Sequence, residues 1–367
     1  MERQNIAILG LGLIGGSLAF RLRSKGHRLT GYDLLQERTD TARELGAIDI
    51  ARSSPKDAVQ DCDLVFIATP VGVVAGIIEE IMPFVRGDAI VTDVGSVKRP
   101  IVENVASLDP SFTFIGGHPM AGSEQGGIGA ADPNLFENAV YVLTPAVGSA
   151  PENTKPLERL SNLVERDLGA NVMVMEPGIH DEVVASVSHL PHVTAAALCN
   201  ALGQTADRVP IALALAAGGF RDTTRVASGL PELWADICLH NRAPVLRSIA
   251  YLQDELEVMQ EALLNQDVDG LRDFFDKARA LRAEVPVAQK GLIPSLYEIM
   301  VPVPDMPGAI SAVTSLLASA DLNLKDINIV RQREGEIGAL RIGLTDGESH
   351  ARALKLLQDE GYRAYGR

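Results

Sequence analysis

The 367-residue chain has few cysteines, few aromatic side chains and no excess of positive charge. Its three cysteines, Cys62, Cys199 and Cys238, lie far apart, so the sequence predicts neither a disulfide framework nor a bound metal. A net charge of −15 disfavours nucleic-acid and anionic-membrane partners, which need a basic surface. No apolar run reaches the ~18 residues of a membrane-spanning helix, and the N-terminus enters a strand without a signal peptide. We therefore expect a cytoplasmic protein.

A strand, a glycine-rich turn and a helix open the chain. The apolar run Asn5–Leu9 is followed directly by residues 10–17 (Gly-Leu-Gly-Leu-Ile-Gly-Gly-Ser). In this pattern the first glycine allows a tight turn, the second lets backbone amides approach a pyrophosphate, and the third lets the helix pack on the strand. The first helical turn then faces the phosphates. The residues predicted to bind a dinucleotide here are Gly10, Gly12, Leu13, Ile14 and Gly15.

An acidic residue predicts which dinucleotide is bound. The second strand ends at Asp33, at the usual distance of about 20 residues from the glycines for a carboxylate that hydrogen-bonds the adenosine ribose. An anion at this place repels a 2′-phosphate, so the sequence favours NAD over NADP. A later strand over residues 63–68 is followed by Thr69 and Pro70, which we also expect beside the cofactor.

Strands and helices alternate up to residue 175, which predicts a doubly wound parallel sheet with ligands at the carboxyl ends of its strands. Two loops at that edge carry polar residues, 93–98 (Asp-Val-Gly-Ser-Val-Lys) and 116–124 (Gly-Gly-His-Pro-Met-Ala-Gly-Ser-Glu). A glycine-flanked His118 beside a hydride acceptor suits a general base. Ser96 is either a substrate contact or the N-cap of the next helix.

Residues 176–290 are helical, and many of these helices are apolar on more than one face. We expect them to pack against one another or against a second subunit, which predicts a homodimer. Arg221 and Arg225 lie on a glycine-rich bend where they could hold a carboxylate, the alternative being a surface ion pair with Asp222. Further candidates in this part, each with a structural role as the alternative, are His189, His192 and Trp234.

A third region follows a proline-containing linker over residues 286–294. Residues 296–367 have the pattern β-α-β-β-α-β, the ferredoxin-like order, and contain no candidate catalytic group.

Together these motifs resemble the prephenate/arogenate dehydrogenase family. The resemblance covers the whole chain and rests on segments 10–17, 92–98, 116–124, 188–192 and 218–225. It implies a dinucleotide-binding domain over 1–175, a helical substrate and dimerisation domain over 176–290, and a C-terminal part over 296–367. The last part resembles ACT regulatory domains, which usually bind amino acids, and its expected regulatory residues are Asp305, Pro307 and Gly308.

The resemblance also implies a reaction. A cyclohexadienol with a ring carboxylate and a 4-hydroxyl gives a hydride to the nicotinamide, the carboxylate leaves as CO2, and the ring becomes aromatic. Because aromatisation drives the reaction, the protein needs mainly to orient the substrate and accept a proton. By the family pattern His118 takes the hydroxyl proton, and Ser96 hydrogen-bonds the hydroxyl or the imidazole. Arg225 holds the ring carboxylate.

The same pattern places His192 near the substrate side chain, lets Glu124 order and gate the site, and lets Asp222 orient Arg225. His192 favours prephenate, with its keto side chain, whereas the acidic Glu124 and Asp132 leave arogenate open. We expect tyrosine, the pathway end product, as the effector.

Two other functions compete with this reading. One is a non-catalytic NAD-responsive regulator. The other is a 3-hydroxyacid dehydrogenase of the 6-phosphogluconate type, although the helical part has no lysine in a suitable motif.

Overall fold

The computed structural model describes residues 3–122, 126–145, 154–285, 297–304, 306–330 and 338–366. The chain divides into two compact units, Met1–Ala278 and Arg279–Arg367. Among the described residues, no helix is both long and apolar enough to cross a membrane.

An eight-stranded sheet forms the frame of the first unit, with strand order β3-β2-β1-β4-β5-β6-β7-β8. The strands are β1 Asn5–Leu9, β2 Arg28–Tyr32, β3 Ile50–Ala51, β4 Leu64–Ile67, β5 Ile90–Asp93, β6 Thr113–Pro119, β7 Val140–Pro145 and β8 Asn171–Val174. The connecting helices are α1 Leu13–Ser24, α2 Gln36–Glu44, α3 Pro55–Val59, α4 Val71–Ile81, α5 Arg99–Leu108 and α6 Thr154–Leu163.

Strand β1 shows how the sequence specifies this frame. Its side chains alternate between two buried apolar layers, with Ile6 and Ile8 in one and Ala7 and Leu9 in the other. Because both faces of the sheet are covered, the strand reads as a continuous apolar run rather than an alternating one. The order of the strands in the sheet reverses between β1 and β4, which pair parallel, as in the Rossmann arrangement of dinucleotide-binding domains.

The sheet differs from the prediction at β6 and β7. Strand β6 runs on through Gly116–Pro119, which the sequence had placed in a loop, and β7 pairs with it antiparallel instead of parallel. Parallel neighbours need a crossover, usually a helix. In the described part of the β6–β7 connection the only helical element is the short 3-10 turn Ile128–Ala130. His118 therefore lies in a strand, opposite Val142.

The helices that follow the sheet are α7 Pro177–Val184, α8 Leu190–Arg208, α9 Gly218–Thr224, α10 Pro231–His240, α11 Arg242–Leu264 and α12 Val268–Glu284, the last of which runs past the end of the first unit at Ala278. A π-helical turn, Ala185–His189, joins α7 to α8, so these two helices are continuous. The prediction that residues 176–290 are helical is wrong at residues 209–217, where the 3-10 turn Pro210–Ala212 is the one helical element. Pro210 lacks the amide that would extend α8.

These helices leave large apolar side chains uncovered in the single chain. Leu239 and Leu264 are 71% and 74% exposed, and Leu215, in the turn between α8 and α9, is 72% exposed. Helix α8 buries one residue, Ala195, and α12 buries none. The predicted mutual packing of these helices is thus incomplete within one chain.

The second unit contains a small antiparallel sheet with strand order β10-β11-β9-β12 and two helices. Its elements are β9 Tyr297–Val303, α13 Ala309–Ser319, β10 Asp326–Val330, β11 Gly338–Leu344, α14 Gly347–Asp359 and β12 Tyr365–Gly366. Gly308 precedes α13 with φ of +90°, a conformation that suits glycine, and Pro307 beside it is exposed. Asp305 and the predicted linker over 286–294 lie outside the described residues.

Two glycines of the first turn should respond differently to substitution by alanine. A Cβ on Gly15 would lie 1.9 Å from the backbone oxygen of Gly10, whereas Gly12 has open space around its Cβ position. We expect Gly15→Ala to lower the free energy of unfolding by about 1–3 kcal/mol, the usual cost of overpacking, and Gly12→Ala to leave it nearly unchanged. Urea unfolding of both variants measures this, and equal midpoints would contradict the packing described for Gly15.

Candidate active site

The glycine turn and the end of β4 form a cradle at the carboxyl edge of the sheet. Gly10 has φ of +97°, and a Cβ there would lie 2.4 Å from the backbone oxygen of Ala68. Only glycine fits this turn. Close by, Thr69 has a buried Oγ1 without a hydrogen-bond partner. A polar atom left in this state is suited to a bound group. The half-buried Leu13 and Ile14 begin α1, and the exposed Pro70 precedes α4.

Asp33 is fixed beside this cradle. One of its carboxylate oxygens accepts a hydrogen bond from Leu11 N at 2.7 Å, and the other accepts one from Leu35 N at 2.9 Å. The side chain of Arg38 lies 3.8 Å away, and Asp33 as a whole is 7% exposed. A dinucleotide fits this arrangement of the glycine turn, the unpartnered Thr69 hydroxyl and the hydrogen-bonded Asp33 carboxylate.

Two glycines bring His118 close to the end of β5. A Cβ on Gly117 would lie 2.5 Å from the backbone oxygen of Asp93, and one on Gly116 would lie 2.3 Å from Thr144 Oγ1. Larger residues would therefore push β6 away from its neighbours. The glycines before His118 serve close packing of strands, not the loop that the sequence predicted.

A buried ion pair locks the ends of β5 and β6 together. Lys98 Nζ pairs with Asp93 Oδ2 and donates a hydrogen bond to Gly117 O at 2.8 Å. The other oxygen of Asp93 accepts a hydrogen bond from Gly117 N at 3.2 Å. Both charged side chains are fully buried. Each backbone group of Gly117 is thus held by one member of the pair, which fixes the strand just before His118.

His118 is hydrogen-bonded to the helical part of the unit. Its Nδ1 lies 2.8 Å from Nε2 of His180, and Nδ1 of His180 lies 2.8 Å from Oδ1 of Asp181. His118, His180 and Asp181 are 8%, 0% and 2% exposed. Burial lowers the pKa of His118 well below its usual range, and His180 and Lys98 lower it further. His118 is therefore neutral near pH 7, as a general base must be.

The helix after β5 is capped from another part of the chain. Helix α5 begins at Arg99, so Ser96 is not its N-cap, and that alternative is wrong. Asp181 instead accepts hydrogen bonds from Lys98 N at 2.8 Å and Arg99 N at 2.9 Å. Ser96 lies half-buried in the loop between Asp93 and Lys98.

A second group of rings lies next to this network. His192 stacks on Trp234 with ring centroids 3.4 Å apart, and His189 meets the edge of Trp234 at 6.1 Å. Asn241 Nδ2 lies 2.9 Å from Asp181 O and 3.1 Å from His189 Nδ1. Burial lowers the pKa of His189 to about 4. His192 is less buried than His189, so it is the better placed of the two to meet a ligand.

The predicted carboxylate-binding residues lie on exposed structure. Asp222 is in α9, and Arg225 begins the 3-10 turn Arg225–Ser228. Both side chains are exposed in the single chain. The turn leads to Gly229, where a Cβ would lie 3.0 Å from His192 Cε1. The segment carrying Arg225 therefore passes beside the ring group, whereas Glu124 lies outside the described residues.

Several residues of the site escaped the sequence analysis. Lys98 and Asp93 stood inside a motif that was recognised, but nothing local indicated that they form a buried pair. His180 and Asp181 had one signal, an adjacent ionisable pair among the apolar residues of α7. In the described ranges, no group of three or more His, Cys, Asp or Glu side chains could hold a metal ion.

Comparison with known proteins gives the family. The sequence model of the prephenate dehydrogenase nucleotide-binding domain matches residues 18–174, and that of the prephenate dehydrogenase dimerization domain matches residues 176–277. The prephenate dehydrogenase of Bacillus subtilis (strain 168) is 36% identical over 360 residues, which are 97% of this chain and 96% of that protein. The chain belongs to the prephenate dehydrogenase family. The resemblance inferred from the motifs is confirmed.

Other members of the family and its solved structures agree with this assignment. The prephenate dehydrogenase of Lactococcus lactis is 33% identical, covering 97% of this chain and 98% of that protein. The Aquifex aeolicus prephenate dehydrogenase, solved with hydroxyphenyl propionate and NAD+, has a TM-score of 0.71 and 32% identity, covering 78% of this chain and 99% of that one. Synechocystis arogenate dehydrogenase has a TM-score of 0.66 and 36% identity, covering 77% of this chain and all of that one.

The buried pair should be sensitive to loss of one member. Removing only Lys98 leaves the Asp93 carboxylate buried and uncompensated, so we expect Lys98→Met to cost about 3–5 kcal/mol of unfolding free energy. Lys98→Met combined with Asp93→Asn should recover part of this loss, because no buried charge remains. Urea unfolding measures both variants.

The control is Arg99→Met, which breaks the exposed pair of Arg99 with Glu103 and should change the unfolding free energy little. A cost for Lys98→Met no larger than that of this control would contradict the role given to the buried pair.

Proposed function

We propose that the chain catalyses the NAD-dependent oxidative decarboxylation of prephenate to 4-hydroxyphenylpyruvate. The observation that carries this proposal is a buried, neutral His118 at the same sheet edge as a glycine turn that fits a dinucleotide. The family assignment supports the substrate, since two relatives that each match 97% of this chain are prephenate dehydrogenases.

The cofactor would be held at the cradle. Backbone amides of the glycine turn would meet the pyrophosphate, Leu13 and Ile14 would flank it, and Asp33 would accept the ribose hydroxyls. Thr69 and Pro70 would lie along the other side. NAD, when bound, supplies the hydride acceptor. The solved Aquifex aeolicus relative contains NAD+.

His118 would accept the proton of the substrate's 4-hydroxyl. The electrons of that O–H bond form the new C–O π bond as hydride leaves the same carbon. When the ring carboxylate then leaves as CO2, its C–C electrons enter the ring and the C–O π electrons return to oxygen, which takes the proton back from His118 and leaves an aromatic phenol. Ser96 would hydrogen-bond the hydroxyl or the imidazole. The chain's task is therefore to orient the substrate and hold one neutral base in place.

The ring carboxylate would be held by Arg225, with Asp222 orienting its guanidinium. An arginine suits this task because it can bind a carboxylate with two hydrogen bonds. His192 would contact the substrate side chain, supported by its place on Trp234 beside the turn that carries Arg225. Glu124 would order the entrance to the site.

Arogenate is the second candidate substrate, because a structural relative at 36% identity is an arogenate dehydrogenase. NADH formation followed at 340 nm, with prephenate and arogenate in parallel and with NAD and NADP, tests the proposal. We expect turnover of prephenate with NAD. Preference for arogenate would change the assigned substrate from prephenate to arogenate. No turnover with either compound would favour a non-catalytic NAD-responsive regulator.

The base should be the residue most costly to replace. We expect His118→Asn to retain the KM for prephenate and to lower kcat by ~10²–10⁴-fold, the usual contribution of a general base. Steady-state kinetics at pH 7 measures both parameters. A kcat within threefold of the parent enzyme would remove His118 from this role.

A homodimer is the assembly that the helical part supports. Its apolar side chains are exposed in the single chain, and residues 176–277 match a dimerization domain. Burying such a surface against a second copy would remove it from water.

The C-terminal unit is proposed as an ACT-like regulatory domain over residues 296–367. Its β-α-β-β-α-β order and its antiparallel sheet support the ferredoxin-like arrangement. Pro307 and Gly308, with Asp305, would form the turn that meets an amino-acid effector, and tyrosine is the expected effector.

Removal of this unit should separate regulation from catalysis. We expect tyrosine to inhibit the full chain, and a chain ending at residue 295 to stay active without tyrosine inhibition. Initial rates over a tyrosine titration compare the two forms. Full sensitivity in the shortened chain would place inhibition at the active site instead.

A further inference from the structure

We propose that His180 and Asp181 are positioning residues that fix which nitrogen of His118 carries the proton. They form a buried line with it, Asp181 to His180 to His118, in which each hydrogen bond is 2.8 Å long. The inference rests on the proposed function, because the protonation state of His118 matters to the reaction only if His118 is the base.

The direction of the hydrogen bonds follows from the acidic end of the line. A carboxylate can only accept, so Nδ1 of His180 carries a hydrogen and donates it to Asp181. In a neutral His180, Nε2 then holds a lone pair and accepts from Nδ1–H of His118. The Nε2 of His118 is left with its lone pair, which is the state that a base needs.

The Asp181 carboxylate is also bound by a second element. It accepts two backbone amides, Lys98 N and Arg99 N, at the start of α5. The N-terminus of a helix carries partial positive charge, which favours an anion. One carboxylate thus caps α5 and sets the direction of the histidine pair.

The hydrogen bonds of this line are needed because a neutral imidazole in water prefers the opposite tautomer, in which the hydrogen is on Nε2. In that form His118 would present a donor where an acceptor is required. When His118 takes the substrate proton at Nε2, its ring becomes a cation and keeps its Nδ1–H on His180. The Asp181 anion, one ring further along, then stabilises that positive charge.

Two other titratable groups, Lys98 and His189, lie near the line, and Nε2 of His189 has no hydrogen-bond partner. Lys98 pairs with Asp93, and His189 Nδ1 lies 3.1 Å from Asn241 Nδ2. Asn241 also donates to the backbone oxygen of Asp181 at 2.9 Å. His180 is thus the group that hydrogen-bonds the His118 ring, with Asp181 behind it.

Nitrogen NMR of the full chain labelled with 15N-histidine tests the tautomer without any substrate. We expect His118 to carry its hydrogen on Nδ1 in the parent protein and to move toward the Nε2–H form in His180→Leu.

The His180→Leu variant should also have a kcat for prephenate that is lower by ~10²–10⁴-fold, with KM changed less than twofold. His180→Gln should keep kcat within tenfold, because its amide can accept from His118 and donate to Asp181.

A matched control is available at the opposite end of the sheet. His27 Nε2 lies 3.2 Å from Asp167 Oδ2 in a second buried histidine–aspartate pair, just before β2. His27→Leu should perturb stability as His180→Leu does, yet leave both the His118 tautomer and kcat unchanged. A merely structural role for His180 would make these two variants alike in kinetics.

Two results would overturn the inference. One is a parent protein in which His118 carries its hydrogen on Nε2, and the other is a His180→Leu variant with unchanged tautomer and kcat. If His180→Leu does not fold, Asp181→Asn replaces it and should show the same tautomer change and loss of kcat. Lack of turnover in the parent enzyme would refute the proposed function instead, and the NMR result would still decide the tautomer.

Discussion

The hydrogen bond between His118 and His180 joins the sheet to the helical part of the unit at the point where chemistry is expected. It forms only if β6 and α7 are each held firmly. The buried pair of Lys98 and Asp93 holds the end of β6 through the backbone of Gly117. Asp181 ties α7 to the start of α5. The geometry of His118 therefore depends on buried charged side chains in the sheet and in the helical part. Lys98 and Asp93 pair with each other, and Asp181 accepts the backbone amides at the start of α5.

The local pattern of the sequence predicted the parts of the molecule that depend on near neighbours. The glycine turn, with Gly10 at positive φ, follows from spacing alone, and Asp33 comes directly after β2 as expected. The order of strands and helices in the C-terminal unit also agrees with the prediction. In each case the residues that form the feature lie within one strand, turn or helix, so their chemistry can be read directly.

The features that the sequence did not predict join distant residues. Nothing in the sequence around His118 or around His180 indicates that these two rings, 62 positions apart, share a hydrogen bond. Strand β7 pairs antiparallel with β6 because the described residues of their connection contain no crossover helix. Gly116 and Gly117 suggested a turn, although they allow the strands to pack closely. Charge pairs such as Lys98 with Asp93 depend on burial, which local patterns do not report.

The pH dependence of kcat/KM for prephenate tests whether a buried and neutral His118 is the base. This parameter reports the ionisation of groups in the free enzyme. The base works when unprotonated, and burial lowers the pKa of His118 below 6.5. We therefore expect kcat/KM to stay level as pH falls from 8 to 6.5 and to decline only in more acidic solution. A half-loss at or above pH 6.5 would contradict the account.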